Sequence, residues 1–94
     1  MKPVVKPVTD MYLTAALLSY GVELSRVDKE NPKRQIFYFN SKPMEVWKLV
    51  DGKILKVEVI DLDQVELLFR SKKLVFLPDY HNFIRDTKSM IHQG

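Results

Sequence analysis

The chain has 94 residues, 46% of them apolar and 29% charged, which places it among single globular domains and away from disordered or fibrous chains. Its net charge is +3, from 15 basic and 12 acidic residues, too small a bias to argue for nucleic acid on its own. There is no cysteine, which excludes disulfides, thiolate metal sites and cysteine nucleophiles and fits a reducing compartment. No apolar run nears the ~20 residues that span a bilayer, so no membrane role is expected.

The start, Met1-Lys2-Pro3-Val4-Val5-Lys6-Pro7, has no apolar stretch of the secretory kind. Pro3 and Pro7 oppose helix, so residues 1–8 are expected as an extended N-terminal arm on a single domain covering 1–94. Residues 9–21, from Thr9 to Gly21, predict the first helix, with Thr9 as N-cap, Asp10 in the first turn and Gly21 as the left-handed terminator. Its residues are apolar nearly all round, the pattern of a helix buried on most of its surface.

Residues 22–28 and 33–40 predict two strands joined through Asn31-Pro32. The second, Lys33-Arg34-Gln35-Ile36-Phe37-Tyr38-Phe39-Asn40, is rich in aromatics and apolar on both faces, as a central strand would be. After Ser41-Lys42-Pro43, residues 44–50 and 53–60 flank Asp51-Gly52, the strongest short hairpin signal in the chain. A two-residue turn sets the register. Val50 faces Lys53, Lys48 faces Leu55, Val46 faces Val57 and Met44 faces Val59 on a largely apolar face directed at the core. The other face carries Leu49 opposite Ile54, Trp47 opposite Lys56 and Glu45 opposite Glu58, the last a like-charge mismatch expected to weaken pairing at that end.

Asp61-Leu62-Asp63-Gln64 has the form of a capping box, and Leu62, Val65, Leu68 and Phe69 line one face of the helix it opens. Residues 72–77 are a short strand or an extended lead-in. Pro78-Asp79 opens a last helix with the stripe Tyr80, Phe83, Ile84, Thr87 and Ile91. The expected fold is therefore α+β: an N-terminal helix, two β-hairpins forming a mainly antiparallel sheet of about four strands, and two C-terminal helices.

Chemistry is hard to place on this chain. His81 and His92 are the only histidines, and eleven residues on one helix set them roughly 16 Å apart, too far for one metal. The acidic pairs Asp61/Asp63 and Asp28/Glu30 fall where capping and turn solvation account for them. No G-x-S-x-G or S-x-x-K context exists, and Gly21, Gly52 and Gly94 are isolated, so no phosphate-cradling loop is expected. The reading is non-enzymatic, with no catalytic residue, metal, cofactor or small-molecule ligand.

What remains is a surface. Residues 26–56 hold eight Lys/Arg against four Asp/Glu, whereas residues 61–94 hold five of each. If Phe37 and Phe39 point into the core, Arg34 and Tyr38 point out, and aligned hairpins would add Trp47 and Lys56 to the same face. Lys33, Arg34, Tyr38, Trp47 and Lys56 are thus the candidate binding residues. Amphipathic aromatics among cations suit stacking and backbone contact with single-stranded DNA or RNA. They equally suit a protein interface or self-association. Ordinary cross-strand packing, with Trp47 over the Lys56 stem, explains the same residues.

The opening Thr9-Asp10-Met11-Tyr12-Leu13-Thr14-Ala15-Ala16-Leu17-Leu18, then Gly21-Val22-Glu23-Leu24, Ile36-Phe37-Tyr38-Phe39 and a late helix from Leu77-Pro78-Asp79-Tyr80, resembles a small uncharacterised family of phage and prophage genomes, the domain of unknown function 5659. The resemblance covers about the first forty residues and, more loosely, the last seventeen, and the hairpin around Asp51-Gly52 departs from it. It implies a phage-type accessory protein, structural, virion-associated or adaptor, acting in the host cytoplasm or the virion. A protein partner or self-association is the expectation and nucleic acid the alternative.

Overall fold

The computed structural model describes residues 4–30 and 35–92. Among them the order is β1 (Val4–Val8), α1 (Met11–Ser19), β2 (Leu24–Asp28), β3 (Ile36–Ser41), β4 (Met44–Val50), β5 (Lys53–Val59), α2 (Leu62–Arg70) and α3 (Tyr80–His92). The α+β class holds, and its finer form differs in two ways. The first element is a strand, and the strands form two antiparallel sheets, β1-β3-β2 and β4-β5, in place of one sheet of about four.

Of the extended arm expected over residues 1–8, residues 1–3 lie outside the described residues and Val4–Val8 is a strand, paired from Val4↔Ser41 to Val8↔Phe37. Pro7 is tolerated because β1 lies at a sheet edge, where a missing N–H leaves no ladder gap. Lys6 fixes this strand to α2. Its ammonium lies 2.5 Å from Asp63 Oδ1 and 2.9 Å from Glu66 Oε1, and its side chain is only 13% exposed. Burial opposes the charge, yet the hydrogen bonds to Asp63 and Glu66 outweigh it and hold the Lys6 pKa above the ordinary lysine value. The same bond to Lys6, with Arg70 assisting against burial, holds the Glu66 pKa below its ordinary value.

β3 is central in its sheet, with β1 and β2 on either side. Strand alternation sends Phe37 and Phe39 fully into the core, a direction the sequence left open. The chain leaves this sheet at Lys42-Pro43, and the Ser41 hydroxyl accepts the Leu62 N–H at 3.0 Å. β3 and β4 therefore never pair, which is why the two hairpin-like units stay in separate sheets.

α1 is capped by Asp10 and not Thr9: the Asp10 carboxylate accepts from Tyr12 N at 2.8 Å and Leu13 N at 3.2 Å. It ends in a Schellman turn, with Val22 N–H to Leu17 O and Gly21 N–H to Leu18 O, both at 3.0 Å, and Gly21 at φ +80°. Leu13, Thr14, Ala15, Ala16 and Leu17 are buried all round, and the small residues let α3 pack closely against α1. Thr14 and Thr87 are both fully buried at no polar loss, since each hydroxyl donates to the carbonyl four residues earlier, at 2.8 and 2.7 Å. On α3, Tyr80 and Thr87 are buried and Phe83 and Ile84 pack on the core, so the described part of the expected stripe faces inward.

Asp61 caps α2 as the sequence predicts, while the reciprocal bond of the box shifts by one residue, to Ile60. Asp61 Oδ1 accepts from Gln64 N at 3.1 Å, and Gln64 reaches back to the Ile60 N–H at 2.9 Å. Its end repeats the Schellman form, with Lys73 N–H to Leu68 O at 2.9 Å and Lys72 N–H to Phe69 O at 3.1 Å. Here the left-handed position is held by Lys72, at φ +61°. Residues 73–75 then run beside β4, with a bridge between Lys48 and Leu74.

Candidate interaction surface

The site rests on the β4–β5 hairpin. Asp51 and Gly52 have φ of +49° and +76°, the left-handed pair of a type I′ turn, whose twist matches that of the strands it joins. The register follows throughout, from Val50↔Lys53 to Met44↔Val59. Alternation then separates two faces. Val46 and Val59 are buried on the inner face, with Met44 and Val57 packed against the core. The outer face presents Leu49 beside Ile54 and Trp47 beside Lys56, with Trp47 39%, Leu49 44% and Ile54 57% exposed.

Charge on this face is internally balanced at one end. Lys56 Nζ lies 5.8 Å from the centre of the Trp47 ring and 2.7 Å from Glu45 Oε2. The expected weakening at Glu45↔Glu58 is absent from the ladder, which continues to Met44↔Val59, because Lys56 reaches diagonally to Glu45. Trp47 is thus an accessible aromatic whose nearest cation is already engaged by a carboxylate.

The β4 side of the hairpin is closed by residues 73–75. Leu49 N–H donates to Lys73 O at 2.8 Å, and Val75 N–H donates to Trp47 O at 3.0 Å. A regular ladder would next join the Trp47 N–H to the Val75 carbonyl. The Tyr20 hydroxyl, from the end of α1, takes that place: it accepts the Trp47 N–H at 3.3 Å and donates to the Val75 carbonyl. Burial raises the Tyr20 pKa, and the Trp47 N–H at its oxygen only partly offsets this. One side chain therefore anchors the hairpin and the 73–75 segment to the first helix.

The candidate residues do not form one face. Trp47 and Lys56 are cross-strand neighbours. Tyr38 belongs to the other sheet, opposite Pro7 on one side and Arg26 on the other, with the Arg26 guanidinium 4.1 Å above its ring. Lys33 and Arg34 lie outside the described residues. Sequence reasoning did not single out Arg26, which pairs with Tyr38 across a register shift in β2, or Tyr20, whose role depends on a contact 55 residues away. It did set Leu49 and Ile54 on the outer face, but nothing in the pattern said that the face lies uncovered.

A groove of about 280 Å³ separates the hairpin from α2, lined by Val57, Val59, Leu67 and Leu68 together with Lys48, Glu58 and Gln64. Four of its seven lining residues are apolar. Among the described residues no three His, Asp or Glu side chains cluster to hold a metal, and no helix is long and apolar enough to cross a membrane. His81 is exposed at the start of α3, its ring 5.8 Å from that of Tyr80. In comparisons with known proteins, no family model, no curated protein and no solved structure matches this chain.

Proposed function

We propose that this chain is a non-enzymatic protein-interaction module, of the phage accessory type that its sequence resembles, and that it binds through the outer face of β4–β5. The observation that carries the reading is the row Trp47, Leu49 and Ile54, three large apolar side chains exposed side by side on a paired strand hairpin whose inner face packs on the core. A pre-ordered backbone lowers the entropic cost of association, and an aromatic with aliphatic neighbours inside a charged rim is the usual make-up of a binding hot spot. Glu45, Lys56 and Glu58 supply that rim.

The test is affinity purification of the tagged chain from its native cell beside a Leu49→Ser/Ile54→Ser variant whose fold is checked by circular dichroism. A protein retained by the wild type and lost with the variant supports the reading. Identical retained proteins for two equally folded chains reject it.

The second reading is binding of single-stranded nucleic acid, favoured by the Arg26–Tyr38 stack. It is weaker, because Tyr38 and Trp47 belong to different sheets and Glu45 engages Lys56. It requires a rise in the fluorescence anisotropy of a labelled short oligonucleotide on titrating the chain at low salt, fading as salt rises. A flat titration ends it.

A further inference from the structure

β4 is paired on both sides, whereas among the described residues β5 is paired on one. The open edge can be assigned residue by residue. Leu49 and Trp47 direct their main-chain groups at residues 73–75, away from β5. In an antiparallel pair, opposite residues either both face each other or both face away. Ile54 and Lys56, opposite Leu49 and Trp47, therefore turn their N–H and C=O groups outward, and Glu58 follows by alternation. This edge also carries unusual apolar exposure: Ile54, Leu55 at 47% and, just past the strand, Ile60 at 69%.

We infer that β5 pairs with β5 of a second copy of this chain, antiparallel about a two-fold axis at Val57, making one continuous sheet. This rests on the reading of the hairpin as an interaction module and names one occupant of its free edge. A two-fold axis normal to a sheet keeps each face on its own side, so a residue can meet only residues of its own face. That leaves few registers. Centring on Lys56 opposes Lys56 to itself and Ile54 to Glu58. Centring on Glu58 opposes Glu58 to itself and Lys56 to Ile60. Centring on Leu55 sets Ile54 against Lys56. Only the register centred on Val57 matches charge with charge and apolar with apolar: Lys56 meets Glu58 twice, Leu55 meets Val59 twice, Ile54 reaches Ile60 twice, and Val57 meets Val57. Lys56 and Glu58 are also the residues whose main chain faces the open edge, so these pairs exchange both backbone hydrogen bonds.

The inner face agrees. Leu55 of the second copy, opposite Val59, falls over the groove lined by Val57, Val59, Leu67 and Leu68 and covers apolar surface on both molecules. An edge lysine ordinarily discourages strand pairing. Here Glu45 of the same hairpin already engages the lysine; one register adds Glu58 of the second copy to it, whereas its neighbours set Lys56 against Lys56 or an apolar side chain, which makes the pairing selective. Joining the hairpins also sets two Trp47–Leu49–Ile54 rows on one sheet face.

The experiment uses the full chain. Sedimentation equilibrium should show a concentration-dependent dimer. Lys56→Glu alone and Glu58→Lys alone each oppose like charges twice and should weaken association by roughly tenfold or more. The double variant restores opposite pairs and should restore the dimer; because Glu45 lies beside both positions within one hairpin, urea midpoints are compared as well, and the dimer should return among variants of equal midpoint. The chain has no cysteine, so Val57→Cys adds a single thiol. On the axis its two copies lie about 4.5 Å apart between Cα atoms, within disulfide reach, and mild oxidation should link them. Leu55→Cys, which faces Val59, should not link. A chain monomeric at millimolar concentration, a double variant no better than the singles, or equal linking through positions 55 and 57 overturns the pairing. None of these removes the partner reading, which fails separately if Leu49→Ser alone, on β4 and outside the β5–β5 contact, loses no retained protein.

Discussion

Replacing Tyr20 with Phe removes one oxygen and tests how the hairpin is held. The ring still fills its place between α1 and β4, so packing is kept. The Trp47 N–H and the Val75 carbonyl lose their shared partner. A main-chain group left unpaired and shut from water costs about 1–3 kcal/mol. Water reaches this edge in part, and the Val75 N–H to Trp47 O bond survives, so the expected loss is about 1–2 kcal/mol in total. For a chain of this size that lowers Tm by roughly 4–16 °C. Urea unfolding followed by the fluorescence of Trp47, the single tryptophan, measures it. A second signature is alkaline. Burial raises the Tyr20 pKa above 10.0 in the folded chain, so this stabilisation is complete below 10.0 and is lost as pH rises through the folded value. The variant should lack that part of the alkaline loss. A Tyr20→Phe chain within about 0.5 kcal/mol of wild type, with unchanged amide exchange at Trp47, refutes the anchoring role.

Other elements make equally definite predictions. Lys6→Met should cost about 1–2 kcal/mol by releasing β1 from α2. The Glu66 part of that difference is present above pH 4.5 and disappears as pH falls through its lowered folded value, and the Lys6 part disappears as pH rises through its raised one, so urea midpoints of the two chains should converge at both extremes. Asp61→Ala removes the α2 cap and should cost about 1 kcal/mol by the same assay. Lys72→Gly relieves a side chain held at φ +61° and should raise stability by up to about 1 kcal/mol, an unchanged or lower midpoint counting against strain at that turn.

The parts legible in the sequence are those set by short-range physics. Asp51-Gly52 admits one turn type, the turn admits one register, and the register sorted Trp47, Leu49 and Ile54 onto one face. The α2 cap follows from a pattern a few residues long, and so does the placing of Phe37 and Phe39 on one face of their strand, though not the direction of that face. What was hidden depends on distant partners. Residues 4–8 carry two prolines' worth of discouragement at their flanks and within, and become a strand only because β3 offers an unfilled edge. Asp10 outcompetes Thr9 as cap by placing its carboxylate under two amides, a choice of one residue that composition does not distinguish. The split into two sheets turns on where the chain exits at Lys42-Pro43, and it is this split that separates Tyr38 from Trp47. Apolar alternation marks a face without saying whether anything covers it.

The claim that the outer hairpin face meets a protein partner is tested most directly by photo-cross-linking in the native cell. A photoreactive residue at Leu49, on that face, is compared with one at Lys88, exposed on α3. A partner on the outer hairpin face gives discrete protein adducts from position 49 and none from position 88. Adducts from position 88 with none from position 49 would contradict it.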